Sequence, residues 1–313
     1  MIRMVAGRLA LSIPLVLIVT AVVFVLMNAL PGNAASAILG TNATPEAIES
    51  LTRELGLDQP VWAQYWTWLS GVLQGDLGVS IFNNEPVTDL VNARFGVTLL
   101  LLVGALGVAI VAGVSVGVLT ARRQGWVSRV IDVLAIAGFA VPAFWLALLL
   151  IYLFAVQLAL LPATGYVPFL DDPLEWYYSL VLPVLALAAG MITSLAKQTR
   201  DSMLEVLASP YVTALRANGI RERSVVFKHA LRNAAIPIVT VVGVLFVGSL
   251  TGAVVIESIF VLPGLGTTVV TATAQRDIPV ILGAALYLTL LVVAINILTD
   301  LAYGWLNPKV RAR

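Results

Sequence analysis

The sequence contains no cysteine and only one histidine, His229. Disulfides, thiol chemistry and Cys/His metal clusters are therefore excluded. The phosphate-binding pattern G-x-x-x-x-G-K-[ST] is missing too, so we do not expect the chain to hydrolyse ATP itself. Charged residues are also scarce, at 11% of the chain, whereas soluble domains carry about 25%. This composition excludes an ordinary soluble domain.

Hydrophobic residues make up 60% of the 313 residues, and many of them form runs without an ionisable side chain. Each run reaches the roughly 20 residues that a membrane-spanning helix needs. The runs cover residues 95–121, 133–170, 176–196, 236–256 and 280–299. The second run is too long for one span, and Pro162, Gly165 and Pro168 predict a helix to about Leu160 followed by an external loop.

A further apolar segment, Leu9 to Leu30, follows Arg3 and Arg8. It exceeds the hydrophobic region of a signal peptide, which is about 7 to 15 residues long, so we predict an uncleaved first span. A cleaved signal peptide is the alternative, because small residues occur at Ala35 and Ala37. The predicted fold is an all-α integral membrane protein with six transmembrane helices.

Positive charges predict the orientation of these spans. With the N-terminus inside, the cytoplasmic segments hold 15 of the 18 Lys and Arg, and only Arg53, Arg94 and Arg276 lie outside. Cytoplasmic loops of membrane proteins are enriched in basic residues, so both termini are predicted to be cytoplasmic.

Acidic residues are missing from the centres of the predicted spans, and Asp132, Glu257 and Asp300 lie only at span ends. A carrier driven by protons or sodium usually keeps ionisable groups near the bilayer midplane. An ion-driven secondary carrier is therefore the weaker alternative, and we expect another chain to supply the energy.

Small residues and prolines punctuate the spans. Glycines four residues apart, which favour close helix packing, are Gly113 with Gly117 and Gly248 with Gly252. Pro142 and Pro183 are predicted inside the third and fourth spans, where they either kink a gating helix or form bends that neighbouring helices tolerate.

The segment from Lys197 to Arg232 holds seven basic residues. Each would cost about 2.5 to 3.5 kcal/mol at the bilayer centre, so this segment is predicted to lie in the cytoplasm. Ser209 is the predicted N-cap and Pro210 the first residue of a short helix that ends at Gly219.

A second helix is predicted to run from near Arg221 towards Asn233. The residues alone leave three interpretations open for this pair of helices. It lies on anionic lipid as a basic amphipathic segment, or it is a solvated loop that only sets topology, or it binds a protein partner.

Resemblance to a known family bears on this choice. Tyr211-Val212, Arg216-Ala217 and Gly219, followed by "HALRNA" at 229–234 and Pro237, resemble the cytoplasmic EAA loop of ABC importer permeases. Similarity to the dipeptide/oligopeptide subfamily, B-type permease subunit, extends to "LGLDQPVWAQYWTWLSGVLQGDLGVSI" at 55–81, "LPGLG" at 262–266 and "RDIPV" at 276–280. The loop departs from the subfamily pattern at Thr213, Ala214, Leu215 and Asn218, and it lacks the acidic residue that names the motif.

The resemblance implies a type I ABC importer permease fold with coupling helices between spans four and five. It implies a first region, residues 1–94, with the first span and an external subdomain, and a core permease domain, residues 95–313, with the EAA-like loop at 197–232. The ATPase-coupling residues would be Ser209, Tyr211, Val212, Leu215, Arg216, Ala217, Gly219 and Arg221. No residue of the substrate pathway is assigned.

The external subdomain is expected to contain a helix that starts at Thr44-Pro45-Glu46 and an aromatic cluster. The cluster comprises Trp62, Tyr65, Trp66 and Trp68. An aromatic belt at the membrane surface is the simpler interpretation of these rings, and contact with peptide is the other.

The implied machine moves peptides into the cytoplasm of a bacterium or archaeon across the plasma membrane. Its other parts are a second homologous permease, two ATP-binding subunits or one fused subunit, and an external substrate-binding protein. ATP and Mg would bind to the ATPase subunits, and no cofactor to this chain. Contacts with membrane lipid are expected and contacts with nucleic acid are not. Nickel chelates and glutathione are alternative substrates.

Overall fold

The computed structural model describes residues 2–30, 34–40, 43–122 and 141–306, together with Gly125 and Val133. Its α-helices are α1 (Ile2–Ala29), α2 (Ala34–Leu39), α3 (Pro45–Glu54), α4 (Val61–Val72), α5 (Val87–Arg122), α6 (Ala143–Leu150), α7 (Pro173–Leu207), α8 (Pro210–Ala217), α9 (Glu222–Ser224), α10 (Leu231–Phe260), α11 (Leu265–Gln275) and α12 (Ile278–Leu306). One π-helical segment, Ile151–Gln157, continues α6, and another, Val225–Ala230, joins α9 to α10. Within the described ranges, β-structure is limited to a single antiparallel bridge between Val79 and Pro86.

Five helices are long and apolar enough to cross a membrane. They are Ala6–Ala29, Val87–Arg122, Pro173–Leu207, Glu222–Phe260 and Ile278–Leu306. These correspond to five of the six predicted spans. For the predicted third span, the structure describes a 15-residue apolar helix, Ala143–Gln157, and residues 134–140 lie outside the described part.

The third predicted span differs from the prediction at both described ends. Pro142 is not inside the helix but caps it, with φ −60° and ψ 140°, because a proline cannot donate to the preceding turn. The π-helical turn ends at Gln157 rather than Leu160, since Ala159 adopts a left-handed φ of 50°. Pro183 does lie inside α7, as predicted.

The basic segment is more helical than the sequence predicts. α7 runs on past Lys197 to Leu207. The second helix of the loop, predicted to run from near Arg221 towards Asn233, continues into the predicted fifth span and ends at Phe260. Its backbone is uninterrupted because no residue between Gly219 and Val261 has a positive φ, and Pro237 is accommodated within the helix.

Contacts divide the chain into two compact units. The first unit comprises residues 99–262 and the segment from Ile295 onward, and the second comprises residues 2–98 and 263–294. The predicted division at residue 94 stays a prediction.

In the first unit, α5 and α7 approach at the backbone. A Cβ on Gly113 would lie 2.8 Å from the Leu195 Cβ, and one on Gly117 would lie 2.6 Å from the Ala196 carbonyl oxygen. Close packing at this glycine pair is therefore correctly predicted.

For the second glycine pair, on α10, the prediction of close packing is confirmed at only one of the two glycines. A Cβ on Gly252 would lie 3.0 Å from the Leu187 Cδ1, whereas one on Gly248 would meet nothing within 4 Å. Four-residue spacing places both glycines on one helix face, but only Gly252 has a close neighbour among the described residues.

The second unit has a core of buried aliphatic side chains. Val87 and Val91 on α5 pack with Leu265 on α11 and Ala284 on α12. A Cβ on Gly283 would lie 2.6 Å from the Val87 Cγ1, so α12 packs directly on the start of α5.

Helices α3 and α4 of this unit form part of the predicted external subdomain. Thr44 caps α3 as predicted, with its Oγ1 accepting from the Ala47 N–H at 3.3 Å. The aromatic residues of α4 do not form one cluster. Tyr65 contacts the ring of Trp68 and accepts or donates a hydrogen bond with Thr20 at 2.9 Å, but Trp62 and Trp66 lie on the opposite, exposed face.

Candidate functional site

The predicted coupling residues lie on α8 and the bend that follows it. Ser209 has the extended backbone of an N-cap, and Pro210 is the first helical residue, as predicted. The Ser209 hydroxyl, however, does not cap α8. It donates to the Val206 carbonyl in the last turn of α7 at 2.5 Å, and the same carbonyl also accepts from the Ser209 N–H at 3.1 Å.

α8 is short and amphipathic. Val212 is fully buried and Leu215 half-buried, whereas Tyr211, Arg216 and Ala217 are exposed. The buried face packs against the π-helical segment, in which Val225, Val226 and Ala230 are also fully buried. Burying a valine side chain contributes about 1.5 to 3 kcal/mol, so this contact holds α8 in place.

The C-terminal end of α8 is a Schellman motif. The Ile220 N–H donates to the Leu215 carbonyl at 3.2 Å, and the Gly219 N–H donates to the Arg216 carbonyl at 3.0 Å. This motif needs a left-handed residue, and Gly219 supplies it with a φ of 74°. The predicted bend is therefore built on hydrogen bonds that satisfy the last carbonyls of α8.

An ion pair closes this bend from the other side. The Arg216 Nη2 donates to the Glu222 Oε1 at 2.8 Å, and the Arg216 Nε donates to the Glu222 Oε2 at 3.1 Å. The hydrogen bonds from Arg216 lower the pKa of Glu222, with a further lowering by the charges of Arg216 and Arg122, while desolvation opposes the shift. The same hydrogen bonds raise the pKa of Arg216.

A second polar contact joins α8 to the long helix. The Asn233 Nδ2 donates to the Tyr211 hydroxyl at 2.8 Å and to the His229 carbonyl at 3.0 Å. The Tyr211 hydroxyl in turn donates to the same His229 carbonyl at 3.3 Å. His229 belongs to the π-helical segment, so this segment supplies the backbone acceptor that both side chains share.

Sequence reasoning missed Glu222 and Asn233. For Glu222, the available signal was its position soon after Gly219 together with its charge, which is opposite to that of Arg216. Asn233 belongs to the "HALRN" segment, but its role depends on Tyr211 being near in space. Arg221, which was predicted, is the N-cap residue before α9; its side chain makes no capping hydrogen bond, and the residue is exposed.

These residues offer a surface for contact rather than for chemistry. The outer face of α8 presents Ala214 and Ala217 together with the exposed side chains of Tyr211 and Arg216. In the described part of the chain, no group of three His, Cys, Asp or Glu side chains is placed to hold a metal ion.

Two family profiles cover the chain. "Binding-protein-dependent transport system inner membrane component" matches residues 109–312, and the N-terminal domain of the same membrane components matches residues 1–102. One relative, a protein of Brucella abortus (strain 2308) named as a peptide transport system permease, is 44% identical over 312 residues, which is 99% of both chains.

Other relatives are named for the transport of a different substrate, glutathione. A glutathione transport system permease protein of Pectobacterium atrosepticum is 39% identical over 305 residues, or 97% of both chains. Its counterpart from Escherichia coli O6:H1 is 38% identical over 312 residues and 99% of both chains. These matches confirm the resemblance inferred from the loop and, with the helical architecture, the predicted fold class. The chain therefore belongs to the family of multi-pass inner-membrane components of binding-protein-dependent transport systems.

Proposed function

We propose that this chain is a permease subunit of an ATP-driven importer that carries peptides into the cytoplasm. The observation that carries the proposal is the exposed helix α8, which is held between two helices long enough to cross a membrane. A chain without a phosphate loop needs such a surface to receive work from a separate ATPase.

The machine proposed here contains a second homologous permease and two cytoplasmic ATP-binding subunits, or one fused subunit. An external substrate-binding protein delivers the peptide. ATP and Mg bind to the ATPase subunits, and this chain contributes no cofactor ligand. Ser209, Tyr211, Val212, Leu215, Arg216, Ala217, Gly219 and Arg221 form or support the surface that contacts the ATPase.

The coupling step is a rigid-body motion. ATP binding closes the ATPase pair, and α8 moves with the subunit on which it is docked. Because α8 follows α7 after two residues and is tied to the start of the next helix by the Arg216–Glu222 pair, both helices receive that motion. The pathway then opens outward, and ATP hydrolysis resets it.

The orientation follows from the distribution of positive charge. The segment from Lys197 to Arg232, including α8, lies on the same side as both termini, which is the cytoplasmic side. The membrane is the plasma membrane of a bacterium or an archaeon.

Peptides are the proposed substrate class because several relatives are named for peptide transport. Glutathione is the second candidate, favoured by the relatives named for glutathione transport. Uptake of a labelled tripeptide into proteoliposomes, with glutathione or unlabelled peptide as competitor, separates the two.

The coupling surface is tested by co-purification with the ATPase subunits. Ala217→Glu together with Ala214→Glu adds charge to the exposed face of α8 and leaves the Arg216–Glu222 pair intact. We expect this double variant to insert normally and lose the ATPases. Gln74→Glu, a change at an exposed residue of the other unit, should retain them. Full recovery of the ATPases with the double variant would refute the proposed docking role.

A further inference from the structure

The second unit contains a polar pocket that the coupling mechanism does not use. Its volume is about 350 Å³, within the range of small-ligand sites. The lining comes from the loop before α5, from the start of α5, from α11 and from the start of α12. It comprises Ser80, Phe82, Asn83, Leu90, Arg94, Thr267, Thr268, Thr271, Ala272, Gln275, Asp277 and Val280.

Arg94 is the only cation of this lining. Its side chain is half-buried, yet no hydrogen bond or ion pair joins it to any described residue. A half-buried guanidinium without a carboxylate is available to an anionic group, since Arg binds carboxylates through two parallel hydrogen bonds.

Asp277 gives the pocket a second, negative charge. It is only 2% exposed, and it is held in place by the Ser80 hydroxyl, which donates to its Oδ2 at 2.5 Å, and by the Ile81 N–H at 3.4 Å to its Oδ1. A purely anionic partner at Arg94 would be repelled by this carboxylate. A ligand that carries both an anionic and a cationic or N–H group matches the pair.

The wall formed by α11 adds hydrogen-bond acceptors. The Thr268 hydroxyl donates to the Gly264 carbonyl at 2.7 Å, and the Thr271 hydroxyl donates to the Thr267 carbonyl at 3.0 Å. A hydroxyl that has used its proton in this way presents only lone pairs to a ligand. These two threonines therefore suit amide or ammonium N–H groups.

From this arrangement we infer that the pocket is a peptide subsite. Arg94 binds the free C-terminal carboxylate of the peptide. The Asp277 carboxylate and the hydroxyls of Thr268 and Thr271 accept hydrogen bonds from N–H groups of the same peptide. The inference rests on the proposed function, because it concerns the substrate of that transport. An acidic side chain of a docking protein fits less well, since it brings no positive group to Asp277. An arginine that only reaches lipid headgroups would give no selectivity for peptide termini.

The absence of cysteine allows a direct test. Thr271→Cys introduces a single thiol at the exposed rim of the pocket, and Thr273→Cys places one on the same helix outside the lining. Both threonines donate to a carbonyl four residues earlier, so the two variants are matched. The rate of alkylation by a membrane-impermeant maleimide is measured on the reconstituted complex, with and without nucleotide, in trialanine or trialanine amide at about 10 mM, which saturates sites of millimolar affinity.

We expect trialanine at about 10 mM to slow labelling of Thr271→Cys about tenfold, which is the protection that a site with a Kd of about 1 mM gives at that concentration. The amide should protect little, because it lacks the carboxylate that Arg94 binds. Arg94→Gln should remove the protection, Arg94→Lys should retain part of it, and Thr273→Cys should label at one rate throughout. Equal protection by peptide and amide, protection that survives Arg94→Gln, or no protection in either nucleotide state would overturn the inference. If the complex still imports peptide in that case, the proposed function stands without this subsite, whereas loss of all peptide import defeats the function itself.

Discussion

Arg216 and Glu222 form a two-point ion pair across the bend at Gly219, with N–O distances of 2.8 and 3.1 Å. Exposed ion pairs contribute about 0.2 to 1 kcal/mol to stability. The pair therefore restricts the motion of the bend but does not create the bend. Its geometry determines the first two predictions.

Reversing one charge should loosen α8, and reversing both should restore it. Arg216→Glu or Glu222→Arg alone places like charges together and should speed amide hydrogen exchange in α8 about two- to fivefold, the equivalent of up to about 1 kcal/mol. The double reversal should return exchange close to the wild-type rate. Exchange is read by mass spectrometry on peptides that cover residues 210–222. A double reversal no better than either single change would show that the pair does not hold the bend.

The same pair should weaken only in acid. Arg216 lowers the pKa of Glu222, so its stabilising contribution is complete above the ordinary carboxyl pKa of about 4.3 and is lost as pH falls through the lower folded value. Spin labels at Thr213→Cys and Lys228→Cys, both exposed, should report one narrow distance distribution at neutral pH and a broader one in acid. With Glu222→Gln added, the distribution should be broad at every pH. Broadening of the wild-type distribution near neutral pH would contradict the assignment.

Gly219 is required for its backbone conformation and not for space. Its φ is 74°, and a Cβ there would lie more than 4 Å from every other described side chain or backbone atom outside its own turn. Gly219→Ala should therefore cost about 1 to 2 kcal/mol through left-handed strain alone, and Gly219→Asn less. Trypsin cleavage at the neighbouring arginines should speed up several-fold with alanine. Gly190→Ala, at a helical glycine with equally open surroundings, is the control and should leave cleavage unchanged.

Gly117 is required for space and not for its backbone conformation. A Cβ there would lie 2.5 Å from the Thr199 Cβ, so Gly117→Ala must push α5 away from α7 at a cost of about 1 to 3 kcal/mol. Gly248→Ala meets open space and should be neutral or slightly stabilising. Thermal unfolding in detergent, followed by tryptophan fluorescence, compares the two. Equal midpoints would show that α5 and α7 are not in backbone contact.

Local chemistry made much of α8 predictable. Proline at its first position and glycine after its end act within the backbone of a few residues, and both were identified from sequence alone. The Ser209 hydroxyl was misassigned because its choice of acceptor depends on where α7 ends. The helix predicted from near Arg221 towards Asn233 and the span predicted from Ile236 are one helix in the structure, since helical hydrogen bonds continue through charged residues that stay in water.

Contacts between distant parts of the chain could not be predicted from the sequence. The Asp277 carboxylate accepts from Ser80 across 197 positions, and nothing in either local sequence indicates the pairing. The same holds for Arg94 and the threonines of α11, which become neighbours only when the start of α5 packs against that helix. Glycine spacing indicated one close helix contact correctly. It could not distinguish Gly252, which has a close neighbour, from Gly248, which has none among the residues that the structure describes.

The unbroken helix from Glu222 to Phe260 has a mechanical consequence. Its 39 residues make a rod of about 58 Å at 1.5 Å per residue, nearly twice the hydrocarbon thickness of about 30 Å. Its far end is tied to another segment by the Gly165 N–H, which donates to the Phe260 carbonyl at 2.8 Å. If the rod pivots at its middle, a tilt of about 5° swings each end by about 2.5 Å in opposite directions. The displacement of each helix end therefore depends on the point along the helix at which neighbouring helices hold it.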